Sequence, residues 1–80
     1  MNLDEVKARL DKIEGITHLK VDGDGYHFHI DIVSPIFEGL SRLNRQKHVY
    51  RYLQDLIANG SLHAVNLKIY TPSEWNLKYE

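Results

Sequence analysis

Apolar positions change period from one segment of this chain to the next, and the periods mark out its elements. Leu3, Val6, Leu10 and Ile13 recur at i, i+3, i+7 and i+10, the spacing of one helix face. Asn2 stands where an N-cap belongs, and Glu5, three residues on, can close a capping box. Gly15 occupies the place where a helix often ends in a left-handed residue. Ile16 to Val21 reads as a strand, with Thr17, Leu19 and Val21 on one face. Asp22, Gly23, Asp24 and Gly25 form a strong turn signal. From Tyr26 to Val33 the alternation is strictest. Tyr26, Phe28, Ile30 and Ile32 face one way, and His27, His29 and Asp31 the other. The two strands predict an antiparallel hairpin.

Ser34-Pro35 ends the second strand, and Phe37 to Leu40 is a connection. Ser41 can cap a long helix from Arg42 to about Ala58. Leu43, Gln46, Tyr50, Leu53 and Ile57 share a predicted face there, flanked by Val49 and Leu56. Periodicity leaves open whether this helix is interrupted. Asn59-Gly60 stops it. Leu62 to Tyr70 is a third strand, with Val65, Leu67 and Ile69 on the face of His63. Thr71, Pro72 and Glu74 then supply an N-cap, a first-turn proline and a capping-box acid, and Trp75 is the expected anchor of a short final helix. The order predicts an α+β fold, a three-stranded sheet covered by helices on one face, as a single domain over residues 1–80.

Composition narrows the chemistry. With 80 residues the chain is long enough for one domain and too short for two. It has no cysteine, which fits a reducing compartment. It therefore cannot build an all-thiolate zinc or iron–sulfur site on its own. No apolar run approaches the ~20 residues that span a bilayer. Met1 to Leu10 is charged and periodic, unlike a signal peptide, so the expected location is the cytoplasm, away from membranes. A net charge of -1 gives no global attraction for nucleic acid.

Five histidines are many for this length. His27, His29 and Asp31 project from one strand face, same-face neighbours lying ~6.6 Å apart, a spacing at which imidazoles can share a metal. A solvated strand face gives the same pattern, and spacing alone favours that reading. His63 opens a strand on its apolar side, so it is either satisfied at the rim of the core or held rigid for a task. His18 and His48 have no constellation around them and are expected at the surface. Arg42, Arg45, Lys47 and Arg51 form a positive stretch with no acid between Glu38 and Asp55, suited to phosphates or to an acidic partner. The Gly23-Asp24-Gly25 turn is too short for a phosphate loop and leads into a strand. No nucleophile elbow or clustered acid pair suggests hydrolysis, and no enzyme activity is expected.

Several stretches together resemble the BolA family. They are Val21 to Phe28, Phe37 to Arg42, Gln46 with Val49-Tyr50, Leu62 to Val65, and Tyr70 to Trp75. The short Gly-Asp-Gly loop with His27 looks like the family's IbaG-like branch. The resemblance implies an α-β-β-α-α-β-α, class II KH-like fold. It implies a non-enzymatic adaptor that is monomeric alone and pairs with a monothiol glutaredoxin and its glutathione. The shared cofactor would be a 2Fe–2S cluster, in iron–sulfur trafficking or in iron and stress signalling. By the same resemblance His63 is a cluster ligand. The second ligand comes from the hairpin loop, where His27 is the nearest imidazole and Asp24 the alternative. A KH-like nucleic-acid-binding regulator, using Arg42, Arg45, Lys47 and Arg51, is the competing expectation, although Gly39-Leu40-Ser41-Arg42 supplies no Gly-x-x-Gly clamp.

Overall fold

The computed structural model describes residues 2–24 and 27–79. Its elements are α1 (Leu3–Leu10), β1 (His18–Gly23), β2 (His27–Val33), a 3-10 turn (Pro35–Phe37), α2 (Arg42–Tyr50), α3 (Gln54–Ala58), β3 (Ala64–Tyr70) and α4 (Pro72–Tyr79). This is the expected order, with the long helix divided. The expected places of Gly25 in the turn and Tyr26 on the strand lie outside the described residues.

Local chemistry sets the boundaries. Asn2 Oδ1 accepts from the Glu5 N–H at 2.7 Å and starts α1. Ser41 Oγ accepts from the Asn44 N–H at 3.2 Å and starts α2. At α4 the capping box is complete: Thr71 Oγ1 accepts from the Glu74 N–H at 3.3 Å, and Glu74 Oε1 accepts from the Thr71 N–H at 2.8 Å.

The sheet order is β1-β2-β3. β1 and β2 pair antiparallel as the hairpin predicts, while β2 and β3 pair parallel, with α2 and α3 in the crossover. Phe28, Ile30 and Ile32 of β2 meet Val6 and Leu10 of α1, Val49 of α2, and Leu53 and Leu56 around α3. These side chains are essentially dry. Each contributes roughly 1.5–3 kcal/mol by leaving water.

Two packing expectations are corrected. Leu43 and Ile57, which share a predicted helix face with Leu53, are 59% and 40% exposed, whereas Leu53 and the flanking Val49 and Leu56 are buried. The cause is the break between α2 and α3. Tyr52 N–H bonds Val49 O and Leu53 N–H bonds Tyr50 O, both at 3.0 Å and both three residues back. Such a turn advances further per residue than an α-helix, so the apolar stripe does not run straight through it. Trp75 is not a core anchor either. It is half-buried, stacks on His18 with ring centroids 4.4 Å apart, and meets Tyr70 edge-on at 5.3 Å. His18 and Tyr70 flank Val33 in register, so this ring closes over Val33, which is 1% exposed. Trp75 thus covers one end of the sheet face that α1, α2 and α3 leave open.

Candidate functional site

The site is built at the opposite end of the sheet, where β1 turns into β2. The turn closes through Asp24. Its N–H donates to the His27 carbonyl at 3.3 Å, and its Oδ1 accepts from the His27 N–H at 2.9 Å. Gly23 allows the closure. Its φ is +152°, and a Cβ there would stand 2.2 Å from the His27 carbonyl oxygen. The Asp24 carboxylate also lies against the imidazole, with Oδ2 3.6 Å from His27 Nδ1. Both side chains are more than two-thirds exposed, at 69% for His27 and 68% for Asp24.

The parallel register places His27 opposite Ala64. His63 immediately precedes Ala64 and is exposed, at the mouth of β3 rather than inside the strand. Adjoining strands lie ~4.8 Å apart, so His27 and His63 stand on neighbouring strand ends. Thirty-five residues of sequence lie between two histidines whose backbones the crossover sets at one end of the sheet, His27 on the open face with Ala64 and His63 beside a groove lined by Val65, Tyr50 and Ile57 on the helix side.

Three candidates move. His27, His29 and Asp31 share the open sheet face, yet no group of three or more metal-binding side chains occurs among the described residues. Asp31 lies between Lys20 and Lys68 in register, and His29 between Asp22 and Asn66, a polar ladder suited to water. His18 is stacked on Trp75 rather than bare at the surface. His48 packs against Phe37 and Tyr52 at 5.8 and 6.1 Å, with its Nε2 buried and without a hydrogen-bond partner among the described residues.

The positive stretch divides as well. Arg45 does not present a free guanidinium. It donates to Leu40 O at 3.1 Å, to Ile69 O at 3.2 Å, and to both Glu74 carboxylate oxygens at 2.6 and 3.2 Å. Its side chain is only 14% exposed. This cation beside it holds the Glu74 carboxyl down at about 2. Arg42, Lys47 and Arg51 remain exposed and form no ion pair among the described residues. Sequence reasoning missed the Arg45–Glu74 tie, since the partners are far apart in the chain and each had a local role of its own.

The donor set fits one half of a shared cluster better than a complete site. It offers two exposed imidazoles at one end of the sheet, no thiol in the sequence, and no group of three or more metal-binding side chains among the described residues. No helix of the described residues is long and apolar enough to cross a membrane.

Comparison with known proteins agrees with the fold. The family described as BolA-like protein matches residues 5–74. The acid stress protein IbaG of Escherichia coli is 39% identical over 75 residues, covering 94% of this chain and 89% of that protein. A Haemophilus influenzae protein named DNA-binding transcriptional regulator BolA is 34% identical over 70 residues, covering 85% of this chain and 67% of that one. The crystal structure of a bol-like protein from Babesia bovis superposes with a TM-score of 0.86 at 31% identity, covering 100% of this chain and 95% of that one.

Proposed function

This chain belongs to the BolA family, in its IbaG-like branch, and from that membership we propose that it is a non-enzymatic adaptor that docks on a monothiol glutaredoxin. In the complex it contributes histidine ligands to a shared 2Fe–2S cluster. One observation carries the reading: His27 and His63 stand on adjoining strand ends in a chain that has no thiol. The glutaredoxin and its glutathione supply the thiolates that this chain lacks. Imidazole in place of thiolate on one iron raises the potential of such a cluster.

The chain's own residues prepare the two imidazoles. His63 directly precedes β3, so the strand anchors the backbone beside it. His27 is fixed by the closed turn. Asp24, the alternative ligand, takes an orienting role instead. Its carboxylate stands 3.6 Å from Nδ1, on one side of the ring, which leaves Nε2 as the nitrogen to meet a metal. Arg42, Lys47 and Arg51 offer charge to the carboxylates of glutathione or to an acidic partner surface. In this reading the protein is a cytoplasmic monomer that forms a heterodimer with its partner. The relative's name, acid stress protein, supports a role in stress signalling as well as in cluster trafficking.

The test is anaerobic cluster reconstitution with a monothiol glutaredoxin, followed by size-exclusion chromatography and visible circular dichroism. A heterocomplex with a spectrum unlike that of the glutaredoxin homodimer supports the reading. No heterocomplex removes it.

A second reading has one specific observation behind it, the DNA-binding regulator among the relatives. Arg42, Lys47 and Arg51 would then meet phosphates. Against it stand the net charge of -1 and the absence of a Gly-x-x-Gly clamp. Tight DNA or RNA binding by the isolated chain that weakens steeply with salt favours this alternative.

A further inference from the structure

β3 is the last strand of the order β1-β2-β3, so one of its edges has no strand beside it. Two hydrogen bonds identify the groups on that edge. Ser34 N–H, where the chain leaves β2, donates to Tyr70 O at 3.1 Å, so Tyr70 turns inward. Arg45 Nη1 of α2 donates to Ile69 O at 3.2 Å, so Ile69 turns outward. Consecutive peptide groups alternate along a strand, and Leu67 and Val65 therefore point outward with Ile69. No hydrogen bond outside the β2 ladder engages the backbone of Val65 or Leu67 among the described residues.

Two grooves follow this edge end to end, with volumes of about 710 and 550 Å³. α2 walls both of them. Arg42, Leu77 and Lys78 border the first, and Lys47, Arg51 and Ile57 the second. Among the described residues Glu74 is the one acid lining either groove, and it is bound by Arg45. Leu77 is 76% exposed and Ile57 40%, which puts bare apolar surface among the cations.

We infer that this edge accepts an extended acidic peptide as a fourth strand, its backbone pairing with Val65 and Leu67 and its carboxylates meeting Arg42, Lys47, Arg51 and Lys78. Strand addition matches both kinds of outward group, N–H and C=O. A phosphodiester backbone offers acceptors only and leaves the carbonyls unmatched. Pairing β3 with β3 of a second copy sets like cations against each other. Alternate apolar side chains of the peptide cover Leu77 and Ile57, and β3 is long enough, at ~23 Å, to specify register. The inference needs neither iron nor glutaredoxin, so it stands or falls separately from the cluster reading.

The test uses the isolated, iron-free, 15N-labelled chain and a ten-residue peptide of alternating glutamate and valine. Two further peptides carry N-methyl groups at the glutamates only or at the valines only. The expected result is binding below about 1 mM with hydrogen exchange at the Val65 and Leu67 amides slowed about tenfold or more. One N-methylated peptide loses binding and the other keeps it. The Arg42→Glu, Lys78→Glu double variant binds more weakly by about fivefold or more. Four outcomes overturn the proposal: no slowing of these amides at millimolar peptide, equal binding of both N-methylated peptides, protection of the amides by ten-nucleotide oligothymidylate but not by the peptide, or concentration-dependent protection of the chain alone.

Discussion

Arg45 of α2 and Glu74 of α4 hold each other through two bonds, Nη1 to Oε1 at 2.6 Å and Nη2 to Oε2 at 3.2 Å. The same guanidinium reaches two backbone carbonyls, and the same carboxylate caps α4. The final helix has no buried residue of its own, so this tie and the Trp75 stack hold it to the sheet. Arg45→Ala is expected to cost about 1–3 kcal/mol, the range for bonds to charged groups. Arg42→Ala, exposed and without an ion pair among the described residues, should stay within about 0.5 kcal/mol. Urea unfolding of the two variants checks the contrast, and equal costs would contradict it.

Acid should loosen the same tie. The Arg45 bond, and after it the Thr71 N–H, hold the folded Glu74 carboxyl at about 2, below its ordinary 4.5. The folded state therefore binds fewer protons than the unfolded chain between those values. The stabilisation is whole above pH 4.5 and disappears as pH falls through about 2. Glu74 is 46% exposed, so screening reduces the effect to about 1 kcal/mol. Asp55, lowered mainly by its bond to Arg9, acts in the same direction. Urea midpoints at neutral pH and near pH 2.5 should differ less for Glu74→Gln than for the wild type.

The hairpin closure makes a sharp contrast between two glycines. A Cβ on Gly23 meets the His27 carbonyl at 2.2 Å, whereas one on Gly39, at φ +76°, meets nothing within 4 Å. Gly39→Ala should cost about 1 kcal/mol for its backbone conformation alone. Gly23→Ala should cost more, because the turn must open or shift. It should also accelerate hydrogen exchange at the His27 amide, which Asp24 now holds at 2.9 Å. Unchanged exchange there would show that the turn does not depend on Gly23.

Core substitutions check where the middle helices face. Leu53→Ala removes a fully buried side chain and should cost about 2–5 kcal/mol, while Leu43→Ala, at 59% exposure, should cost less than about 0.5. Thermal unfolding of both variants is enough.

What could be read from the chain was what is local. The Thr71–Glu74 capping box and the Asn2 cap join residues three apart, and the alternation of Phe28, Ile30 and Ile32 reports one face directly. The break between α2 and α3 left no such mark. No glycine or proline stands there, and Leu53 begins α3 without a side-chain cap. The orientation of Leu43 and Ile57 was misread for that reason. Non-local pairings were out of reach of periodicity. The parallel register that sets His27 beside Ala64 depends on the crossover length, and the removal of Arg45 from the basic patch depends on an acid in the last helix. The resemblance to a family named His63 and pointed to the hairpin loop, where His27 is the nearest imidazole; only the fold sets the two at one end of the sheet.

The central claim is that histidine nitrogen from this chain touches the iron of a shared cluster. Pulsed electron paramagnetic resonance on the reduced heterocomplex tests it directly, with this chain 15N-labelled and the glutaredoxin and glutathione unlabelled. The account predicts strong 15N couplings that His63→Ala removes or alters, with His27→Ala changing a second set. An iron-loaded heterocomplex with no strong coupling from the labelled chain would contradict it, leaving this protein as a docking partner that does not ligate the cluster.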